Sequence, residues 1–219
     1  MEFKIKVQKT LNDLVYQDLK RKILTGEIPS RTRLMEIELA NKMNVSRTPI
    51  REAIRRLAED GLVQVEPRRG AFVSNISIKD MLDVFETRAD LEGFTAYLAA
   101  QRITEEQKVE MRKIIEAYDA AAAARDKDVI IALDENFHNF IVSCCDNDTL
   151  KTLIKFVQEL ALRFRYLYYD KYSLYLETAA AHRRIMEAIT SGDAHQARIV
   201  AEEHIHDLKQ FVIKLEDEI

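Results

Sequence analysis

The residues best suited to chemistry are one aspartate and three histidines in the second half of the chain. Asp134 and His138 are four residues apart in LDENFHNFI, so on a helix they share one face. His182 and His204 each lie among apolar residues at helical spacing, which directs both side chains inward. Imidazole and carboxylate ligands suit zinc, nickel, iron or manganese. The pattern predicts one buried divalent transition metal ion per chain, held by these four residues.

Other interpretations of the same residues stay open at this point. Each histidine taken alone is more simply a core residue. The ion could be purely structural, or it could itself be the signal. It could also activate water in a hydrolase-like enzyme, although no obvious general base stands beside Asp134 or His138. The two other histidines, His195 and His206, fall on other helix faces and are predicted at the surface.

A second group of residues lies in VSRTPIREAIRRLAEDGL, which runs from 45 to 62. Ser46 is expected to cap a helix by accepting a bond from a free N–H in its first turn. Pro49 then stands third in the helix, where its missing N–H has no intrahelical partner. Gly61 is expected to close the helix in the left-handed conformation. The proline therefore marks a helix start.

This helix carries exposed side chains that suit the major groove of double-stranded DNA. Its N-terminal end presents Ser46, Arg47, Thr48 and Arg51. Arginine can donate two hydrogen bonds to guanine, and hydroxyl groups can meet phosphates. Further candidates for the DNA backbone or minor groove are Arg31, Arg33, Arg68 and Arg69. A solvated arginine face is the plainer alternative, but four separate features agree on DNA.

The elements around this helix complete a DNA-binding head. Residues 10–25 and 36–43 have helical spacing, and Ile28 to Leu34 are interpreted as a loop. Alternation in LVQVEPRRGAFVS predicts a β-hairpin that turns at Gly70. Three helices followed by a hairpin make a winged helix-turn-helix.

Six further helices are predicted beyond Asn75. Their approximate ranges are 78–101, 104–125, 127–145, 147–169, 173–190 and 193–215. Short connections favour an antiparallel helical bundle. The fold class is therefore mainly α, with a winged helix-turn-helix in residues 1–76 and an all-α bundle in 77–219.

Charge divides the chain at the same place. Residues 1–76 hold 15 Lys and Arg against 10 Asp and Glu, a net charge of +5, whereas the remainder carries −9. A basic head suits a polyanion, and the acidic body contains all five histidines. The two cysteines are adjacent, and neither a signal peptide nor a membrane span is read, so a cytoplasmic protein is expected.

VSRTPIREAIRRLAEDGLV followed by RRGAFV resembles the winged-helix signature of the GntR family of bacterial transcription factors. The resemblance implies that Ser46, Arg47, Thr48 and Arg51, with the wing glycine Gly70, lie at the operator. One departure is Ile37, which stands where an arginine often occurs in the fatty-acid-responsive branch.

Residues 78–215 resemble the FCD ligand-sensing domain, in its six-helix VanR-type form, and the Asp-x3-His pair with two later histidines matches its metal-binding subset. The resemblance implies a metal-containing repressor that binds a palindromic operator as a homodimer and responds to a small carboxylate effector. Arg88 matches an arginine that often meets the effector; a helix salt bridge to Glu92 is the equal alternative. A pocket could also be lined by Arg165, Tyr166, Tyr168, Tyr169 and Tyr172, although a core or interface role is favoured for most of them.

Overall fold

The computed structural model of the protein describes residues 10–75, 77–171 and 175–216. Within these ranges, the side chains of 163–171, 175, 176, 215 and 216 lie outside the described part. The chain divides into two compact units, residues 1–76 and 77–219. Each unit is described by itself.

The first unit contains three helices in its described residues: α1 (Leu11–Leu24), α2 (Glu36–Met43) and α3 (Arg47–Glu59). Thr10 and Asp13 form a reciprocal capping box at the start of α1, which satisfies backbone N–H groups that the helix itself leaves free. α1 packs against α3, and their apolar stripes are buried. Most of the apolar residues at helical spacing in α1 and α3 are therefore core residues, whereas Leu11 and Leu14 are exposed.

The start of α3 differs in one detail from the prediction. Ser46 lies at the N-cap and Pro49 is the third helical residue, as expected, but the Ser46 side chain makes no capping hydrogen bond. A cap side chain accepts from the N–H of the second or third residue. Because proline fills the third position and has no N–H, one of those two donors is missing. The Ser46 hydroxyl stays exposed.

A small antiparallel sheet follows α3. The predicted hairpin is formed by β2 (Val63–Glu66) and β3 (Gly70–Val73), and a third strand, β1 (Arg33–Leu34), pairs with the other edge of β3. The interpretation of 28–34 as a loop was wrong for these two residues. A strand of two residues has no alternation to detect, and its partner Ala71–Phe72 is distant in sequence.

The second unit contains six helices in its described residues, joined by short connections. They are α4 (Ile78–Arg102), α5 (Glu105–Ala124), α6 (Lys127–Cys144), α7 (Asp148–Lys171), α8 (Tyr175–Ser191) and α9 (Ala194–Glu216). Side-chain caps at Ser77, Thr104 and Asp126 explain where α4, α5 and α6 begin. Asp193 caps α9, as predicted, through a bond from the N–H of Gln196.

α4 is the central helix of this unit. It packs most extensively against α9 and also contacts α6, α7 and α8. The main core lies between α4, α5, α6, α8 and α9, where Ala99, Met111, Phe137, Ile189 and Ala197 are fully buried. The predicted fold class, a mainly α chain with a small winged sheet, is confirmed. Among the described helices, none combines the length and apolar character needed to cross a bilayer.

Candidate functional site

Three imidazoles meet inside the helical unit. His138 from α6, His182 from α8 and His204 from α9 are at most 4% exposed. Each offers a nitrogen that lies within 4.8 Å of the nitrogens offered by the other two, and within the described residues they form the group able to hold a metal ion. Two ligands of one transition metal lie at most about 4.2 Å apart, because each bond is about 2.1 Å long. The three side chains are therefore close to a coordinating arrangement.

An oxygen of Asp134 lies beside two of these imidazoles. Its Oδ1 lies 3.5 Å from Nε2 of His182 and 4.0 Å from Nε2 of His138. Both separations exceed a normal hydrogen bond. They suit ligands spaced around a shared ion. The four residues that the sequence predicted as a set are thus brought together by α6, α8 and α9.

A buried ion pair on α4 supports the cluster from one side. Nδ1 of His138 lies 3.0 Å from Oε2 of Glu92. Arg88 holds the other oxygen, since its Nε and Nη2 each lie 2.8 Å from Oε1. In a neutral imidazole, a proton on Nδ1 leaves the Nε2 lone pair free. Nε2 of His138 has no hydrogen-bond partner among the described residues.

Electrostatics fix the charge states of two buried groups at the cluster. Burial, reinforced by His182 and His138, holds the pKa of His204 well below its ordinary value, so this imidazole is neutral. Burial opposes the charge of Glu92, but attraction by Arg88 and the contact with His138 outweigh it and keep the pKa of that carboxyl well below its usual range. A neutral His204 therefore lies near an ionised Glu92.

An ion pair with Glu92 on the same helix explains much of the position of Arg88. Its side chain is 1% exposed and is bound to Glu92, one turn later on α4. The salt bridge that the sequence left as an alternative is therefore present. Nη1 of Arg88 has no hydrogen-bond partner among the described residues. A buried donor of this kind is available to a ligand.

The predicted DNA-reading residues of α3 lie on an exposed face of the first unit. Ser46, Arg47, Thr48 and Arg51 are exposed. Glu36 on α2 accepts a bond from Arg47 at 2.8 Å and two bonds from Arg51, at 3.1 and 2.9 Å. Hydrogen bonds from Arg51 and Arg47 lower the pKa of Glu36 to about 2. The ionised carboxylate of Glu36 thus joins Arg47 to Arg51.

The two other arginines of α3, Arg55 and Arg56, have different partners. Arg55 binds Glu52 and Glu59 of its own helix. Arg56 stacks over Tyr16, with its guanidinium carbon 3.8 Å from the ring centroid, and binds Asp13 at 2.9 Å. Arg56 is therefore a packing residue between α1 and α3.

The wing and the loop before α2 carry the other predicted DNA contacts. Arg31, Arg33, Arg68 and Arg69 are exposed, and Arg69 pairs with Glu66. Gly70 has φ +110, and a Cβ at this position would lie 3.3 Å from Nε of Arg33. The pairing of β1 with β3 thus places Arg33 against the wing.

Two acidic residues of these sites were not predicted from the sequence. Glu36 has no functional motif around it, and Glu92 was considered only as a partner for Arg88. The i, i+4 spacing of Glu92 from Arg88 was visible, but its contact with His138 joins two helices. The side chains of Arg165, Tyr166, Tyr168 and Tyr169, and all of Tyr172, lie outside the described residues.

Comparisons with known proteins give matches in both units. The model of "Bacterial regulatory proteins, gntR family" matches residues 11–73, and that of the FCD domain matches 83–207. The chain is 28% identical to the HTH-type transcriptional repressor RspR of Escherichia coli (strain K12), over all of this chain and 96% of that protein. It is 30% identical to the HTH-type transcriptional regulator YdhC of Bacillus subtilis (strain 168), over 92% of this chain and 91% of that protein.

Solved structures show the same fold. The structure titled E. coli McbR/YncC superposes with a TM-score of 0.79 at 21% identity, covering 95% of this chain and 100% of that one.

Proposed function

Because the chain belongs to the GntR family of bacterial regulatory proteins and carries an FCD domain, it is a DNA-binding transcriptional regulator, and we propose that a bound metal and a small carboxylate control it. It is a regulator rather than an enzyme, which argues against the hydrolase interpretation. We also propose that the protein acts as a repressor, that it binds a palindromic operator as a homodimer, and that it works in the cytoplasm.

The observation that carries the proposal is the convergence of three buried imidazoles and one carboxylate. His138, His182, His204 and Asp134 are all buried, so their nitrogen and oxygen atoms are gathered away from water. Nitrogen and oxygen ligands of this kind fit zinc, nickel, iron or manganese. One ion per chain would be held by these four residues, where it would act as a Lewis acid toward an anionic ligand.

Glu92 has a defined part in this proposal. Metal-binding histidines almost always donate their second N–H to a carboxylate or carbonyl, which fixes the ring and its tautomer. The 3.0 Å contact from His138 to Glu92 supports that role. Arg88 in turn keeps Glu92 ionised, so both residues position the cluster.

The effector side of the proposal rests on Arg88 and on the cluster together. A small carboxylate would lie between the ion and the free donor Nη1 of Arg88. Charge-assisted bonds from arginine to carboxylate are among the stronger protein hydrogen bonds. A ligand that binds one arrangement of the bundle better than another would shift the population of that arrangement.

The DNA side rests on the exposed face of α3. Ser46, Arg47, Thr48 and Arg51 would read bases and phosphates in the major groove. Arg31, Arg33, Arg69 and Gly70 would meet the flanking backbone or minor groove. A single recognition helix reads one half-site, so a homodimer would read a palindrome.

The first experiment tests the metal. Metal content and affinity would be measured for the untagged full-length protein, for His204→Ala and Glu92→Gln, and for His206→Ala as a matched control. His206 is exposed two residues from His204 on the same helix. We expect one divalent ion per chain in the wild type and in His206→Ala, loss of the ion in His204→Ala, and affinity weakened roughly 10- to 100-fold in Glu92→Gln. A wild type that holds no stoichiometric ion, or equal losses in the two histidine variants, contradicts the metal site.

The second arm tests control. Operator binding would be followed by mobility shift for metal-loaded and chelated protein, with and without acetate, lactate or citrate. We expect at least one of these acids to change binding only in the loaded protein. If binding follows the metal alone, the ion is the signal and the carboxylate part of the proposal is wrong.

A further inference from the structure

Gln158 on α7 is a buried amide without an evident structural purpose. It is 9% exposed, and its Nε2 has no hydrogen-bond partner among the described residues. Leaving a buried donor unbonded destabilises a fold. Ile154, Val157 and Ala161, which neighbour it on the same helix, are buried and apolar. An apolar residue would therefore satisfy packing at this position better than glutamine does.

Gln158 lies between a surface groove and the histidine cluster. On one side it lines a groove of about 460 Å³ between α6 and α7. On the other side it lines a void of about 10 Å³ together with Glu92, Thr95 and His138. That void has room for about one water-sized group. An atom placed there is close to both Gln158 and His138.

The groove has the chemistry of a site for a small hydrophilic molecule. Seven of its ten lining residues are polar. Apart from Gln158, they are Glu135, Asn139, Ser143, Lys151, Lys155 and Glu159. Small-molecule sites usually occupy about 300–1,000 Å³ and are mostly apolar. This groove is towards the small end of that range and combines apolar surface with many polar side chains, which suits a small ligand that carries oxygen groups.

We propose that Gln158 is an effector-binding residue that selects small acids with an additional oxygen near the carboxylate. With the carboxylate at the histidine cluster, Nε2 of Gln158 donates to a hydroxyl, keto or second carboxylate oxygen of the ligand, and the rest of the ligand occupies the α6–α7 groove. The unbonded amide explains the preference, because an acid that ends in a methyl group at this point leaves the donor unsatisfied. The inference rests on the proposed metal and carboxylate function.

Matched pairs of acids test this selection. The metal-loaded full-length protein would be titrated calorimetrically with propanoate against each of lactate, pyruvate and malonate. We expect at least one oxygenated acid to bind 10-fold or more tightly than its partner without the added oxygen. Gln158→Leu should abolish that preference, and Gln210→Leu, at an exposed glutamine of α9, should keep it.

A stability measurement separates ligand binding from a structural role. Without added acid, Gln158→Leu should melt at the same temperature as the wild type or higher, because an apolar side chain replaces an unbonded donor. A lower melting temperature, an equal affinity for both members of every pair, or a preference that survives in Gln158→Leu overturns the inference. Loss of metal or of all acid binding in the wild type would instead refute the proposed function. Binding of metal, acetate and operator without oxygen selection refutes only the role of Gln158.

Discussion

At the scale of single residues, a carboxylate in each unit organises the functional side chains around it. Glu36 joins Arg47 to Arg51, and Glu92 joins Arg88 to His138. The ion pairs at these two carboxylates differ in how much they contribute to stability. The arginine side chains at Glu36 are 56% and 66% exposed, so those ion pairs add little stability. The pair at Glu92 is buried, where losing one partner leaves an uncompensated charge.

The exposed arginines of α3 are therefore expected to matter for DNA rather than for folding. Arg51→Ala should weaken binding to the specific operator by about 1–3 kcal/mol, the usual contribution of one base-reading arginine. Arg55→Ala is the matched control, because Arg55 lies one turn further along and binds Glu52 and Glu59. Mobility shifts across a salt series measure both. Equal effects of the two variants would argue against Arg51 as a base contact.

At the scale of elements, the contact between α4 and α9 fixes the position of Glu92 relative to His204. The two helices approach closely at Gly93, where a Cβ would lie 2.6 Å from Cγ of Glu202. Glu202 is held in place by a hydrogen bond from Arg198 at 2.6 Å. An alanine at this position would therefore force the Glu202 side chain to move, which favours glycine here despite its poor helix propensity.

Gly93→Ala should lower the melting temperature of the helical unit. Overpacking costs about 1–3 kcal/mol, whereas alanine gains at most about 1 kcal/mol in helix propensity. Adding Glu202→Ala removes the clash, so the double variant should recover to the wild-type value or above it. Glu202→Ala alone should have little effect, since its ion pair is partly exposed. Failure of the double variant to recover would show that the crowding lies elsewhere.

At the scale of the whole molecule, the described part of one chain contains one helix that we propose reads DNA, the 13-residue α3. A palindromic operator needs two such helices separated by about one turn of DNA. We expect light scattering to give a mass of about twice 25.4 kDa in solution. Insertion of five base pairs between the half-sites should abolish tight binding, because it rotates one half-site by about half a turn. A monomeric mass, or binding that tolerates the insertion, would contradict the homodimer.

The helices and the candidate residues of both predicted sites could be identified from the sequence alone. Helical periodicity located the helices, Ser46 and Pro49 located the start of α3, and the spacing of Asp134 and His138 put both on one helix face. These features depend on residues a few positions apart, where local geometry decides the outcome.

The packing of helices and strands in three dimensions determines which groups from distant parts of the sequence meet. The pairing of β1 with β3, the contact of Glu92 with His138 and the position of Gln158 beside the cluster each join segments far apart in sequence. No periodicity encodes such contacts, because they depend on how separate elements pack. The carboxylates that organise the arginines and the histidines became visible only once those elements were placed together.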